Sequence, residues 1–202
     1  MKPPVLARME ELGHKVFTGE PYDLNLFGIR HKNRTPGVFD DLIGCAWREG
    51  RSWHVRYWPA TTDPGVDKNA ALATRNPKGA AVLAPGQYLG VWEIGPHGKS
   101  QYKALIQTGA PVRVFRPGPG ATTLDLDEST IETGYFGINC HASSLTPYDD
   151  DRSREGVRGW SEGCQTHATS SGFRSMMELA ISQTLAHPTW RKFSYTLLDQ
   201  WW

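Results

Sequence analysis

Between Leu42 and Phe115 the chain carries five short runs of strand-forming residues, at Leu42–Arg48, Ser52–Trp58, Gly86–Ile94, Tyr102–Thr108 and Val112–Phe115. Turn chemistry separates them. REG at 48–50 and GPHGKS at 95–100 read as hairpin turns, TTDPG at 61–65 opens a long irregular connection ending near Ala80, and RPGPG at 116–120 is a further break. Strands this short, joined this way, need an antiparallel or mixed sheet with a second layer on its apolar face. The expected fold is therefore mainly β (α+β), a mixed β-sandwich or partial barrel. The 21 glycines, 14 prolines and 8 tryptophans suit turns and aromatic packing better than a helical bundle.

Two helices flank this run. Val5, Leu6, Met9 and Leu12 keep helical spacing and Gly13 offers a stop, which predicts a short N-terminal helix. Near the other end, Phe173, Met176, Met177, Ala180, Ile181, Thr184 and Leu185 recur at helical intervals, with Ser170 or Ser171 as N-cap and Pro188 as terminator. This amphipathic helix is expected to cover the sheet. A strand is expected at Leu24–Arg30, a turn at NRTPG (33–37), and a last strand at Lys192–Leu198 before the Trp201–Trp202 tail. Residues 1–40 are thus read as a helix and extension, and 41–202 as one domain; 202 residues suffice for one well-cored unit.

The charge balance excludes one class of partner. With 22 Lys+Arg against 21 Asp+Glu, the formal charge is +1, and no broad field attracts nucleic acid or an anionic membrane. Three cysteines, Cys45, Cys140 and Cys164, cannot close a disulfide framework and leave at least one thiol free. MKPPVLARMEELGHKVF has no continuous apolar segment of the kind that directs export, so synthesis in the cytoplasm is expected.

Chemistry concentrates between Tyr135 and Gln165, a stretch that opens with YFGINCH and closes with GWSEGCQ. Read as a strand, its first half puts Phe136, Ile138 and Cys140 on the core side and Tyr135, Asn139 and His141 on the other. Ser161, Gly163 and the small residues around Cys164 suggest a tight turn that leaves a thiol open with backbone N–H groups beside it. A thiol needs a base to act as a nucleophile, and an attacked carbonyl needs preorganised donors for its oxyanion. His141 and the Ser-x-Gly-Cys turn offer both, the donors being the N–H groups of Gly163 and Cys164.

GINCH followed by a loop and SEGCQ resembles the signature of the L,D-transpeptidase catalytic domain (YkuD type), and APGQYLGVWEIG resembles the Thr-Pro-x-Gly-x-Tyr/Phe stretch that enters a strand of that domain. The matches span roughly residues 46–165. The resemblance implies an L,D-transpeptidase-like mixed β-sandwich, Cys164 as nucleophile, His141 as base, and peptidoglycan stem peptides as substrate. It also implies that Ser161 fixes the turn or orients His141 through its carbonyl. Asn139, Gln165, His97 and Tyr88 are the expected substrate contacts; no cofactor and no metal is expected. Three departures stand out: Glu162 where the family often has histidine, Thr166 where arginine or asparagine is common, and a long loop from Ala142 to Trp160. They favour hydrolysis of the wall over transfer to a new amine, as in a phage lysis enzyme or delivered effector, with L,D-transpeptidation as the alternative.

Competing readings attach to the same residues. His167 is a second candidate base, and Cys140, His141, Cys164 and His167 together contain the atoms of a zinc site, although an adjacent Cys-His pair in a strand points its side chains apart. The acidic run 149–151 is expected to be a solvated, mobile part of the loop. Thr61, Thr62 and Asp63 are either turn formers or donors to substrate. A chain that kept this fold only to bind the wall, or to build a phage particle, is the non-enzymatic alternative.

Overall fold

A computed structural model of the protein describes residues 1–124, 126–151 and 154–202. Helix α1 (Pro4–Glu11) opens the chain with proline in its first turn, where the fixed φ suits the helix and no donor is lost. Strands β1 (Asn25–Arg30), β2 (Asp41–Glu49) and β3 (Ser52–Thr61) follow, then β4 (Val82–Leu83), β5 (Gly86–His97), β6 (Tyr102–Gln107), β7 (Val112–Phe115), β8 (Glu132–Gly134), β9 (Cys140–Ala142) and β10 (Gln165–His167). Helix α2 (Ser170–Ala186) and strand β11 (Lys192–Asp199) complete it.

Eight strands close into a barrel in the order β1-β11-β5-β6-β9-β10-β3-β2, with β2 returning to β1. Most neighbours are antiparallel; β1–β11 and β9–β10 are parallel. The sheet therefore has no free edges of the kind the expected sandwich would leave, and β4, β7 and β8 form a separate three-stranded sheet. Closure depends on β1. Its six residues are all buried because Leu26 points to the central core while Phe27 and Ile29 pack with Val5, Leu6 and Met9 of α1. A boundary at residue 40 would cut the barrel, since β1 pairs on both sides with strands of the remainder.

The central core runs from the barrel to both covering layers. Phe173, Met176, Met177 and Ala180 of α2 join Trp58, Leu105, Trp92 and Tyr195, and Leu83, Val112 and Val114 enter from the small sheet. The cap of α2 is Thr169, one residue before Ser170 and two before Ser171: its side chain accepts from Gly172 N–H at 3.0 Å. The strand expected over 135–141 shrinks to Cys140–Ala142, because Gly137 takes φ +70° and interrupts the extended run. Ile138 and Cys140 still reach the core as expected, and Tyr135 is exposed.

One buried feature is polar. Arg30, fully enclosed, donates from Nε to Thr62 Oγ1 and from a terminal nitrogen to the Thr62 carbonyl, both at 3.1 Å, and lies 2.8 Å from Asp63 Oδ1 in an ion pair too bent to make a hydrogen bond. Asp41 accepts from Thr62 N–H and Oγ1 at 2.6 and 2.7 Å. Thr61, Thr62 and Asp63 are thus interior structural groups, not donors to a surface ligand.

Candidate active site

The parallel pairing of β9 and β10 does what the sequence required of it. Thr166 lies beside His141 and Gln165 beside Cys140, so Cys164, two residues before Thr166, falls on the same side of the sheet as His141. At about 3.3 Å per residue along a strand and 4.8 Å between strands, the two Cα atoms stand roughly 8 Å apart, a span their side chains can close.

The turn carrying Cys164 is built by close approach. A Cβ on Gly163 would sit 1.9 Å from the Ala81 carbonyl, and φ there is +132°, so glycine is required on both counts. The preceding carbonyl, of Glu162, accepts from Ala81 N–H at 3.3 Å; the Gly163 carbonyl accepts from Gln165 Nε2 at 3.4 Å. Each trans peptide thus has its oxygen tied inward and its N–H directed the other way. Neither the Gly163 nor the Cys164 N–H has a partner among the described residues, the arrangement expected of an oxyanion hole.

His141 is 4% exposed, which corrects the expectation that it opens to solvent. Its Nδ1 lies 2.8 Å from the Ala142 carbonyl; the bond fixes the tautomer with the proton on Nδ1 and leaves the lone pair on Nε2. Burial, and then the neighbouring His97, push this imidazole down to about 3, against the raising effect of the Ala142 bond. The Cys164 thiol, in a partly exposed residue, donates to the Gly137 carbonyl at 3.3 Å. Burial pushes it up to about 11, opposed by a hydrogen bond from the Asn139 backbone and reinforced by Glu162. Thiol and imidazole therefore rest neutral and without a hydrogen bond to each other. Both charged forms lose more by desolvation than this geometry returns.

His97 belongs to the site, at the end of β5 and not in a turn. Its ring stacks on that of His141 with centroids 4.3 Å apart and planes 20° apart. Asn139 is the scaffold between them: its Oδ1 accepts from Gln107 N–H at 2.8 Å and its Nδ2 lies 3.5 Å from His97 Nδ1. The other two expected contacts are corrected. Gln165 is wholly buried, accepting from the Tyr195 hydroxyl at 2.7 Å while donating to the turn, so it positions Cys164 from beneath. Tyr88 is buried in the core, its hydroxyl donating to the Ala84 carbonyl at 2.6 Å.

Ser161 keeps its turn-fixing part only. Its carbonyl accepts from Gly65 N–H at 2.9 Å instead of orienting His141, and its hydroxyl is buried without a partner. Glu162 accepts from Arg75 N–H at 2.9 Å, which ties the long 62–81 connection to the turn. His167 lies wholly buried between Trp58 and Phe173, both ring nitrogens unpartnered, and cannot serve as the base. Cys140 faces the core, where burial raises its thiol, while His141 leaves the other side of the strand. Among the described residues no three His, Cys, Asp or Glu side chains are grouped to hold a metal ion, and no helix is long and apolar enough to cross a membrane.

The 142–160 loop borders the site, and its described part is anchored instead of free. Asp150 accepts from Ser144, Thr146 and, on α2, Ser170; Arg174 of α2 donates to the carbonyls of Pro147 and Asp150, both at 2.7 Å, and pairs with Asp151. Arg152 of that loop lies outside the described residues. A cavity of about 300 Å³ opens beside His141 between this loop and the β5–β6 hairpin, with Trp160, Leu145, Tyr102 and His97 in its walls. Comparison of the chain with known families, curated proteins and solved structures returns no match.

Proposed function

We propose that this protein is a cysteine-dependent acyl-transfer enzyme acting on peptidoglycan stem peptides, with hydrolysis as its main outcome. The observation that carries the proposal is the Gly163–Cys164 turn: two consecutive unpartnered N–H groups beside a thiol, on the sheet side that holds His141. In this reading substrate entry turns the thiol from the Gly137 carbonyl toward His141 Nε2, which takes its proton as sulfur attacks the peptide carbonyl. The oxyanion is received by the Gly163 and Cys164 N–H groups, and the imidazolium returns its proton to the leaving amine. Water then releases the acyl group. We read the barrel and its flanking sheet as a divergent L,D-transpeptidase-like sandwich whose layers have joined at their edges. Work on the wall would follow release or delivery from the cytoplasm.

Hydrolysis is favoured because Glu162 and Thr166 are occupied within the protein, by Arg75 and by the Cys164 carbonyl, and offer nothing to a second amine. One observation favours transpeptidation instead: His141 is nearly enclosed, which limits the water its ring can activate. Mass analysis of products from purified peptidoglycan separates the two, since hydrolysis adds water to the released fragment and exchange does not. Cys164→Ala is expected to lower turnover by more than about a thousandfold while leaving wall binding intact. Unchanged turnover in that variant would make this a binding or structural protein.

A further inference from the structure

Among the described residues that line the cavity beside His141, Arg154 is the one guanidinium and none is a carboxylate. The remainder is aromatic (Trp160, Tyr102, His97), aliphatic (Leu145, Ala142) or neutral polar (Ser143, Ser144). Both serine hydroxyls are committed as donors, Ser143 to the Ala168 carbonyl at 3.0 Å and Ser144 to Asp150 at 2.9 Å. Arg154 is held at the cavity through its backbone, whose N–H donates to the Ala168 carbonyl at 3.1 Å. Its guanidinium has no ion pair or hydrogen bond among the described residues. The contrast with its neighbours is plain: Arg174, on the same loop's anchor, spends its donors on two carbonyls and Asp151. Asp150, on the same loop, is tied to three hydroxyls.

An exposed guanidinium, unpaired among the described residues, at a cavity that also holds His141 and aromatic side chains is a receptor for a planar anion, because its fork of N–H donors matches a carboxylate in two parallel bonds. The geometry points to Arg154 as a specificity-determining residue that binds a free carboxylate of the acyl donor and seats its scissile carbonyl between His141 and Cys164. The substrate class follows: a short peptide bearing an unamidated carboxylate near the bond attacked, with its amidated counterpart discriminated against. This rests on the cysteine-nucleophile reading above, but its first test needs no natural substrate.

Iodoacetate and iodoacetamide deliver the same carboxymethyl-type group to sulfur, one with a carboxylate and one with a neutral amide. The ratio of their alkylation rates at Cys164, followed by mass spectrometry of the intact folded protein, is expected to fall about tenfold in Arg154→Ala and to be largely kept in Arg154→Lys. A ratio unchanged in Arg154→Ala, with Cys164 still reacting, overturns the assignment. If Cys164 resists both reagents, the nucleophile reading fails, and the carboxylate site is judged by calorimetry. Cys164→Ala protein is then expected to bind a stem peptide ending in a free carboxylate about tenfold tighter than its C-terminal amide. That preference should vanish in Cys164→Ala/Arg154→Ala. Equal affinity for the two peptides in Cys164→Ala protein sinks the proposal.

Discussion

The sulfur of Cys164 and the imidazole of His141 share one constraint: desolvation penalises the charged form of each. With the thiol raised to about 11 and the imidazole lowered to about 3, proton transfer waits for a substrate that turns the thiol toward the imidazole. Reaction with iodoacetamide reports this directly. The rate at Cys164 is expected to climb about tenfold per pH unit between pH 7 and 10, as the thiolate fraction does. Cys45 and Cys140, fully buried, should stay unlabelled in the native protein. A plateau below pH 8 would reveal a preformed thiolate–imidazolium pair and remove the neutral-pair account. The placement of Cys164 and His141 on one side of the sheet was legible in the sequence because a Gly-Cys turn and the strand before it are local features. Gln165 and Tyr88 were not: the partners that draw them inward, Tyr195, Gly163 and Ala84, are assembled by the barrel, and polarity alone suggests an exposed position.

Among the elements, α2 has a second duty beyond covering the core. Its first turns grip the 142–160 loop through Ser170 and Arg174, and that loop supplies Trp160 and Arg154 to the cavity wall. Arg174→Ala is expected to raise KM several-fold with kcat little changed, because it loosens the binding wall without touching Cys164 or His141. Thermal stability should drop only slightly, since Phe173, Met176 and Met177 still hold the helix. Equal losses in kcat and KM would place Arg174 in the chemistry instead. The helices and most strands were legible from period and turn residues, with β7 falling on the expected Val112–Phe115. What escaped was pairing. Nothing within β1 or β11 announces that they meet in parallel, and the acidic run 149–151 looks solvated until Ser144, Thr146 and Ser170 converge on Asp150.

At the level of the whole protein, two buried histidines weaken the fold in acid, partly offset by Asp63, whose carboxyl burial pushes up to about 7. His141 and His167 are both pushed down to about 3, chiefly by burial, so the folded protein excludes protons that the unfolded chain accepts below about 6.5. Their contribution is complete above that value and is lost as pH falls toward 3, at up to about 1.4 kcal/mol per pH unit for each ring. Urea unfolding at pH 7.5 and pH 5 is expected to show the loss, and His167→Phe, which replaces a ring lacking any hydrogen bond, should flatten the slope. Identical midpoints at both pH values for the parent protein would contradict it.

The seam between β1 and β11 ties an early strand to the last one. An incomplete chain emerging from the ribosome therefore leaves β1 with an open flank, and the turn bearing Cys164 lacks the Tyr195 hydroxyl that steadies Gln165 beneath it. Until that strand has been made, the Cys164 turn lacks this support, and a nick that freed the strand would remove it again.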